Sequence, residues 1–333
     1  EFMTTGSEAS LGALRLARSV TGREHVIVMQ GGFNGSHSEI ACNVLTPLEQ
    51  IGPRVCPGEY PYVRLGSGLP GAAEELVHVV NFNDLESVRH VCEKHQVAAL
   101  ITEPVLQNIG IVKPEPGYLA GLRQLADEFG FLLIFDEVMT GVRYCVGGYS
   151  QLCGVRPDLA YYAKAIANGF PISVIGGKAE YMDLFADPEA SRRPLIGGTY
   201  NAHPVSVAAA IATIEVLLED GGAVYRHMED LGAEVQEGIE YLLNHHGIAG
   251  RVSRQGGAFC LYLMHHLPRD YHDLAENHDF DRDLALRRAL IDHGIYFFPV
   301  ATKQCSISAA HTINDIGVTL EALERALSAI FRG

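Results

Sequence analysis

No run of about eighteen consecutive apolar residues occurs in the chain, so no membrane-spanning helix is expected. Positive charge is also scarce. Lys and Arg number 25 against 40 Asp and Glu, giving a formal charge of −15 and a pI near 5.4. That balance argues against nucleic acid or an anionic membrane as a partner, and any anionic ligand must be caught by local groups. The seven cysteines are odd in number and include no CxxC pair. This usage reads as reduced structural thiols in a cytoplasmic protein. No basic segment leads into a short apolar run near residue 1, so no secretory signal is expected. His245-His246 and His265-His266 have no third partner at metal-ligand spacing, and no metal is expected there or elsewhere.

The chain does have enough apolar material for a core. Its 333 residues are 47% hydrophobic, sufficient for one large domain or two modest ones. Apolar runs at 25–29, 77–82, 97–102, 131–135 and 172–175 are short and lack strict alternation, the pattern of strands buried on both faces. Helical patterns lie between them, at 84–95 and 117–129; in the second, Leu119, Leu122, Leu125 and Ala126 recur at helical spacing. Strand–helix alternation predicts an α/β fold with a mostly parallel sheet covered by helices. Beyond Tyr200 the pattern changes to helices at 203–218 and 223–243, a Gly-broken strand at 252–264 and a helix at 281–293. Two short strands (296–300, 304–308) and a final helix (314–331) follow. The expected division is a large domain at 1–215 and a smaller α+β domain at 216–333. Segments 44–71 and 267–280, rich in Pro, Gly, Asp and His, are expected to be the least regular. Gly66-Ser67-Gly68-Leu69-Pro70-Gly71 matches GxGxxG in letters, but a Pro/Gly loop precedes it and no helix opens at it, so a surface loop is the reading.

Three places could carry chemistry. In Phe131-Leu132-Leu133-Ile134-Phe135-Asp136-Glu137-Val138 an acid ends an apolar run. That position is the carboxyl edge of a sheet, where α/β proteins bind ligands. A carboxylate there is costly unless paired or hydrogen-bonded; the ordinary alternative for Asp136 is a helix N-cap. Lys164 follows 28 residues later, after Tyr161-Tyr162-Ala163. In so apolar a surround it is expected to be desolvated, which makes a lysine amine a nucleophile toward carbonyls. The ordinary alternative is a lysine snorkelling to the surface. Thr4-Thr5-Gly6-Ser7-Glu8-Ala9 opens an amphipathic helix, whose first N–H groups and positive dipole end suit a phosphate. An ordinary N-cap with Glu8 in the first turn is the alternative.

Taken together, these blocks resemble the class III, fold-type I pyridoxal-5′-phosphate (PLP) aminotransferases, nearest to the glutamate-1-semialdehyde 2,1-aminomutase-like group. The resemblance runs over nearly the whole chain. It is carried by Phe135-Asp136-Glu137-Val138-Met139-Thr140-Gly141-Val142-Arg143 and by Pro157-Asp158-Leu159, Lys164, Asn168-Gly169-Phe170-Pro171 and Gly176-Gly177. It implies that Lys164 holds PLP as a Schiff base and moves a proton, and that Asp136 pairs with the pyridine nitrogen so that the ring acts as an electron sink. Gly6 and Ser7 would bind the phosphate. Phe33 would stack on the ring where relatives carry a tyrosine, with Asn34 beside it a second departure, and Val138 would press the other ring face. Glu103, in Glu103-Pro104-Val105-Leu106-Gln107-Asn108, would lie near the substrate and Asn108 near the cofactor's 3′ oxygen. Thr199, in Gly197-Gly198-Thr199-Tyr200-Asn201, would reach the phosphate of the neighbouring subunit, which implies a homodimer.

The implied partners are a small-molecule amino donor, glutamate being the family's usual one, and a keto or aldehyde acceptor. Relatives of the aminomutase group carry an acid before Ser308-Ala309-Ala310-His311-Thr312, where this chain places Lys303. A cation there suits a carboxylate-bearing substrate and favours transamination over aminomutase chemistry. Members of the family ordinarily carry a longer segment before the phosphate turn. Were the protein to begin at Glu1, an inactive or scaffolding domain of a larger biosynthetic protein would be the alternative.

Overall fold

The computed structural model describes residues 1–331. The chain forms two compact units: Glu1–Val105 with Lys113–Leu217, and Leu106–Val112 with Leu218–Gly333.

The first unit opens with β1 (Phe2–Met3), α1 (Gly6–Thr21), β2 (His25–Met29), α2 (Leu48–Ile51), β3 (Val77–Val80), α3 (Leu85–Lys94) and β4 (Val97–Thr102). It continues through α4 (Tyr118–Phe129), β5 (Leu132–Asp136), α5 (Gly148–Cys153), β6 (Leu159–Tyr162), β7 (Ser173–Gly177), α6 (Ala179–Met182) and α7 (Pro204–Leu218). Its seven-stranded sheet has the order β1-β7-β6-β5-β4-β2-β3. Strands β3, β2, β4, β5 and β6 run parallel; β7 and β1 are antiparallel additions at one edge. Every residue of β3, β4 and β5 is buried, as the non-alternating apolar runs require of strands covered on both sides. The covering helices are amphipathic. On α4, Leu119, Leu122, Leu125 and Ala126 face inward, and Gly130, at φ 69°, ends the helix. On α3, Asp84 caps the first turn by accepting from the Ser87 N–H. The α/β expectation is met. Helix α7 departs from the usual pattern: it is mostly apolar, yet only Ser206 and Ala210 are buried.

The second unit holds α8 (Ala223–His245), β8 (Arg251–Gln255), β9 (Ala258–Tyr262), α9 (Tyr271–Asn277), α10 (Phe280–Asp292), β10 (Cys305–Ser306) and α11 (Ile313–Phe331). Its sheet is antiparallel, in the order β10-β9-β8. Val235, Ile239, Leu261, Leu290, Leu323 and Leu327 form the centre of its core.

Four sequence expectations are corrected here. The Gly-broken strand is a hairpin, because Gly256, at φ 56°, reverses the chain between β8 and β9. Residues 296–300 form no strand; Pro299 interrupts them, and Tyr296 and Phe298 are exposed. Segment 267–280 is not irregular: Asp270 caps α9 through the Asp273 N–H, and Asp270, His272 and His278 are buried. The charged residues Asp281, Asp283, Arg287 and Arg288 of α10 read in the sequence as an exposed helix face, and that is only half right. Asp281 and Arg288 are exposed, but Asp283 and Arg287 are buried, with Arg287 Nε donating to Asp283 Oδ1 at 2.7 Å. His278 and the Thr302 N–H also bond Asp283 Oδ2. Burial pushes the Asp283 carboxyl up, but His278, Arg287 and the Thr302 amide more than offset this and hold it below its ordinary value. Among the described residues no helix is long and apolar enough to cross a membrane.

Candidate active site

The parallel order β6-β5-β4-β2 sets four chain segments side by side beyond the carboxyl edge of the sheet. Phe33 and Asn34 follow β2, Glu103 follows β4, Asp136 ends β5, and Lys164 comes two residues after β6. This is the edge at which open α/β sheets bind ligands.

Asp136 is 2% exposed. Its Oδ1 accepts the Val138 N–H at 3.0 Å. Its Oδ2 accepts the Asn34 side-chain amide at 3.0 Å and the Tyr161 hydroxyl at 2.7 Å. Burial pushes the carboxyl up from its ordinary range, while Tyr161, Asn34, the Val138 amide and the charge of Lys164 pull it back. A buried carboxylate held from three sides at a ligand-binding edge is suited to a cationic ring nitrogen. Asn34 thus touches Asp136 directly, and Tyr161 does too. No local sequence signal marks Tyr161; its place follows from strand register, since Asp136 and Tyr161 are paired residues of β5 and β6. Glu103 is 1% exposed and accepts the Phe33 N–H at 3.0 Å. That bond fixes the half-buried Phe33 beside the β2 edge. Val138 is also half-buried.

Lys164 adopts φ 49°, a left-handed conformation uncommon for a residue with a Cβ. It opens a short 3₁₀ turn, Lys164–Ala167, after Ala163 in extended conformation, and the turn ends on Asn168 at φ 45°. Residues held this way cluster at functional sites. The expectation of a desolvated lysine is corrected: Lys164 is exposed on the single chain.

At the start of α1 the ordinary N-cap is present. Thr5 Oγ1 accepts the Glu8 N–H, and the Glu8 carboxylate accepts the N–H groups of Thr4 and Thr5, a complete capping box. The N–H groups of Gly6 and Ser7 are the first-turn donors outside that box. Ser7 Oγ accepts the Ser36 N–H at 3.0 Å, so the loop after Asn34 is tied to the helix start. Small residues are needed here. A Cβ on Gly6 would meet Val138 Cγ2 at 3.0 Å, and one on Gly35, at φ 141°, would meet Ser10 Oγ at 2.5 Å. The donor set fits PLP: a helix start for a phosphate, a buried carboxylate for a ring nitrogen, and a primary amine that follows both in the chain.

Thr199 is exposed, in a segment fastened to α1 by Arg15 donating to the Leu195 carbonyl and Ser19 donating to the Arg192 carbonyl. Asn108 and Lys303 belong to the second unit, where Lys303 Nζ donates to Asn108 Oδ1 at 3.2 Å.

Residues 1–327 match the family model "Aminotransferase class-III", and the chain belongs to that family. It is 34% identical over 328 residues to the glutamate-1-semialdehyde 2,1-aminomutase of Syntrophomonas wolfei, covering 98% of this chain and 72% of the relative. It is 36% identical to the enzyme of that name from Pyrobaculum calidifontis, covering 99% and 72%. An omega-transaminase from Sphaerobacter thermophilus superposes with a TM-score of 0.88 at 29% identity, covering 100% of this chain and 74% of the other. A glutamate-1-semialdehyde aminomutase variant from Pseudomonas aeruginosa PAO1 in complex with PMP superposes at 0.87 with 26% identity, covering 99% and 71%. The chain is a PLP-dependent enzyme of fold type I.

Proposed function

We propose that the chain transfers amino groups between an amino donor, glutamate foremost, and a keto or aldehyde acceptor bearing a carboxylate. The observation that carries this reading is Asp136, buried at the carboxyl edge of β5 and held by Asn34, Tyr161 and the Val138 amide. When bound, PLP supplies an electron sink for the bonding pair released at the substrate's α-carbon. The chain's own residues do the rest. Asp136 holds the ring nitrogen in its protonated state. Lys164 Nζ is the covalent anchor and the base that takes the proton from the α-carbon and returns it at the neighbouring position. Gly6 and Ser7 bind the phosphate through their N–H groups, and Phe33 and Val138 fix the ring plane. Glu103 and Lys303 act on the substrate side, Lys303 toward a carboxylate, with Asn108 near the cofactor's 3′ oxygen.

The working form in this reading is a homodimer in which Thr199 completes the phosphate site of the neighbouring subunit. The exposure of Thr199, of Lys164 and of the apolar residues Val205, Ile211 and Val216 on α7 supports it.

A second reading, intramolecular amino transfer on glutamate-1-semialdehyde, is favoured by the names of the curated relatives. A half-reaction screen separates the two. The PLP-loaded enzyme is mixed with a panel of amines while its visible absorbance is followed, and glutamate-1-semialdehyde is then supplied without an external amine. Bleaching by a donor, reversed by a keto acid, is the expected result. Efficient isomerisation without any added amine would establish the second reading instead.

A further inference from the structure

Three histidines that no sequence motif joins come together at the amino-terminal side of the first unit's sheet. His25 is the first residue of β2, His78 is the second of β3, and His95 ends α3 two residues before β4. Strands β3 and β4 are the two neighbours of β2. His78 pairs with Ile27 across the ladder, so side-chain alternation places it on the same face as His25. His25 Nδ1 and His78 Nε2 are 3.0 Å apart. One ring nitrogen from each histidine falls within 4.8 Å of the other two. The rings lie at centroid distances of 5.1, 4.7 and 4.1 Å.

We propose that His25, His78 and His95 bind one divalent transition-metal ion of the zinc class. Two nitrogens at tetrahedral positions about 2.0–2.1 Å from such an ion stand roughly 3.3 Å apart. The observed separations reach that spacing by small rotations of the rings. The strongest support is the far side of His78. Its Nδ1 bonds the Glu59 carboxylate, which leaves Nε2 turned toward the cluster. A carboxylate behind a ligating imidazole fixes the tautomer and the ring orientation. His78 is buried, while His25 and His95 are half-buried. The cluster therefore has a closed back and an open front, with room for a fourth ligand from solvent. An all-imidazole donor set selects zinc, cobalt, nickel or copper over magnesium or calcium.

The position says what such an ion would do. Asp136 ends its strand and Glu103 follows one, whereas His25 and His78 begin theirs. The ion would clip β2, β3 and the α3–β4 turn together and take no part in amino transfer.

The test uses the PLP-loaded enzyme, stripped of metal by EDTA and dialysed, then titrated with Co²⁺. The expected result is one equivalent of Co²⁺ per chain with visible d–d absorption and no thiolate charge-transfer band, displaced by Zn²⁺. Glu59→Gln should weaken binding by about 10–100-fold, and His78→Gln should remove the equivalent. Unchanged PLP absorbance and far-UV circular dichroism establish that the variants fold, and the titration of the unaltered enzyme stands whatever they do. No stoichiometric uptake by that enzyme, a thiolate band, or equal uptake by the His78→Gln variant would each overturn the proposal.

Discussion

The Tyr161 hydroxyl donates to Asp136 Oδ2 at 2.7 Å across two paired strands. Burial and the adjacent carboxylate push the Tyr161 phenol well above its ordinary value, so it remains a donor at any working pH. Tyr161→Phe removes one of the three groups holding Asp136. The expected outcome is a fall in kcat of about tenfold, the worth of one hydrogen bond to a charged group, with PLP still attached. Steady-state kinetics beside the visible spectrum of the variant check this; unchanged kcat would show that the contact is structural only.

The Asp283–Arg287 pair in the second unit gives a stability prediction. Both side chains are buried, and Asp283 also bonds His278 and the Thr302 amide. Removing one partner strands a buried charge, so Arg287→Met should cost about 3–5 kcal/mol. Replacing both by apolar residues of similar size should recover part of that loss. Chemical denaturation of the single and double variants measures both quantities.

His37 predicts how stability depends on pH. Neither ring nitrogen has a hydrogen-bond partner. Burial pushes its pKa down from 6.5 to about 4, with Arg15 and Arg18 pushing the same way and Glu39 opposing. Above pH 6.5 the residue is neutral in both folded and unfolded chains and contributes no pH dependence. As pH falls below 6.5 the unfolded chain takes up a proton that the folded chain refuses until about pH 4. Stability should therefore drop across that window by at most roughly 3 kcal/mol. Denaturation curves of the protein and of His37→Gln between pH 7 and pH 4 check it: the variant should show a smaller loss.

Helix α7 carries the dimer prediction. Ile211 and Val216 are 53% and 49% exposed on a mostly apolar helix. Ile211→Arg should shift sedimentation from dimer to monomer and lower activity. Thr199→Ala should leave the dimer intact and weaken PLP binding, by about 1–3 kcal/mol if one phosphate hydrogen bond is lost. A monomeric parent protein would contradict the dimer.

Much of this site could be read in the sequence because catalysis at a sheet edge leaves a local mark. Asp136 closes an apolar run, Lys164 follows the next one, and Gly6-Ser7 opens an amphipathic helix; each signal is contiguous. Tyr161 and the Asn34–Asp136 bond were not legible in that way, because strand order and register bring them together. The same reason hid His25, His78 and His95, which meet only once β3 and β4 flank β2. The α10 error has a different cause. Asp283 and Arg287 look like an exposed i, i+4 pair, and nothing local reveals that the Thr302 amide and His278 close over them. The exposure of Lys164 was likewise outside the reach of its apolar neighbours in sequence.

The central claim is that Lys164 holds the cofactor and Asp136 drives its chemistry. Borohydride reduction of the PLP-loaded enzyme, followed by peptide mass spectrometry, tests it most directly. The account predicts a phosphopyridoxyl adduct on the peptide containing Lys164, absent from Lys164→Ala. The adduct should persist in Asp136→Asn, whose turnover falls by about 10²–10³-fold. An adduct on another lysine, or full turnover by the Asp136→Asn variant, would contradict it.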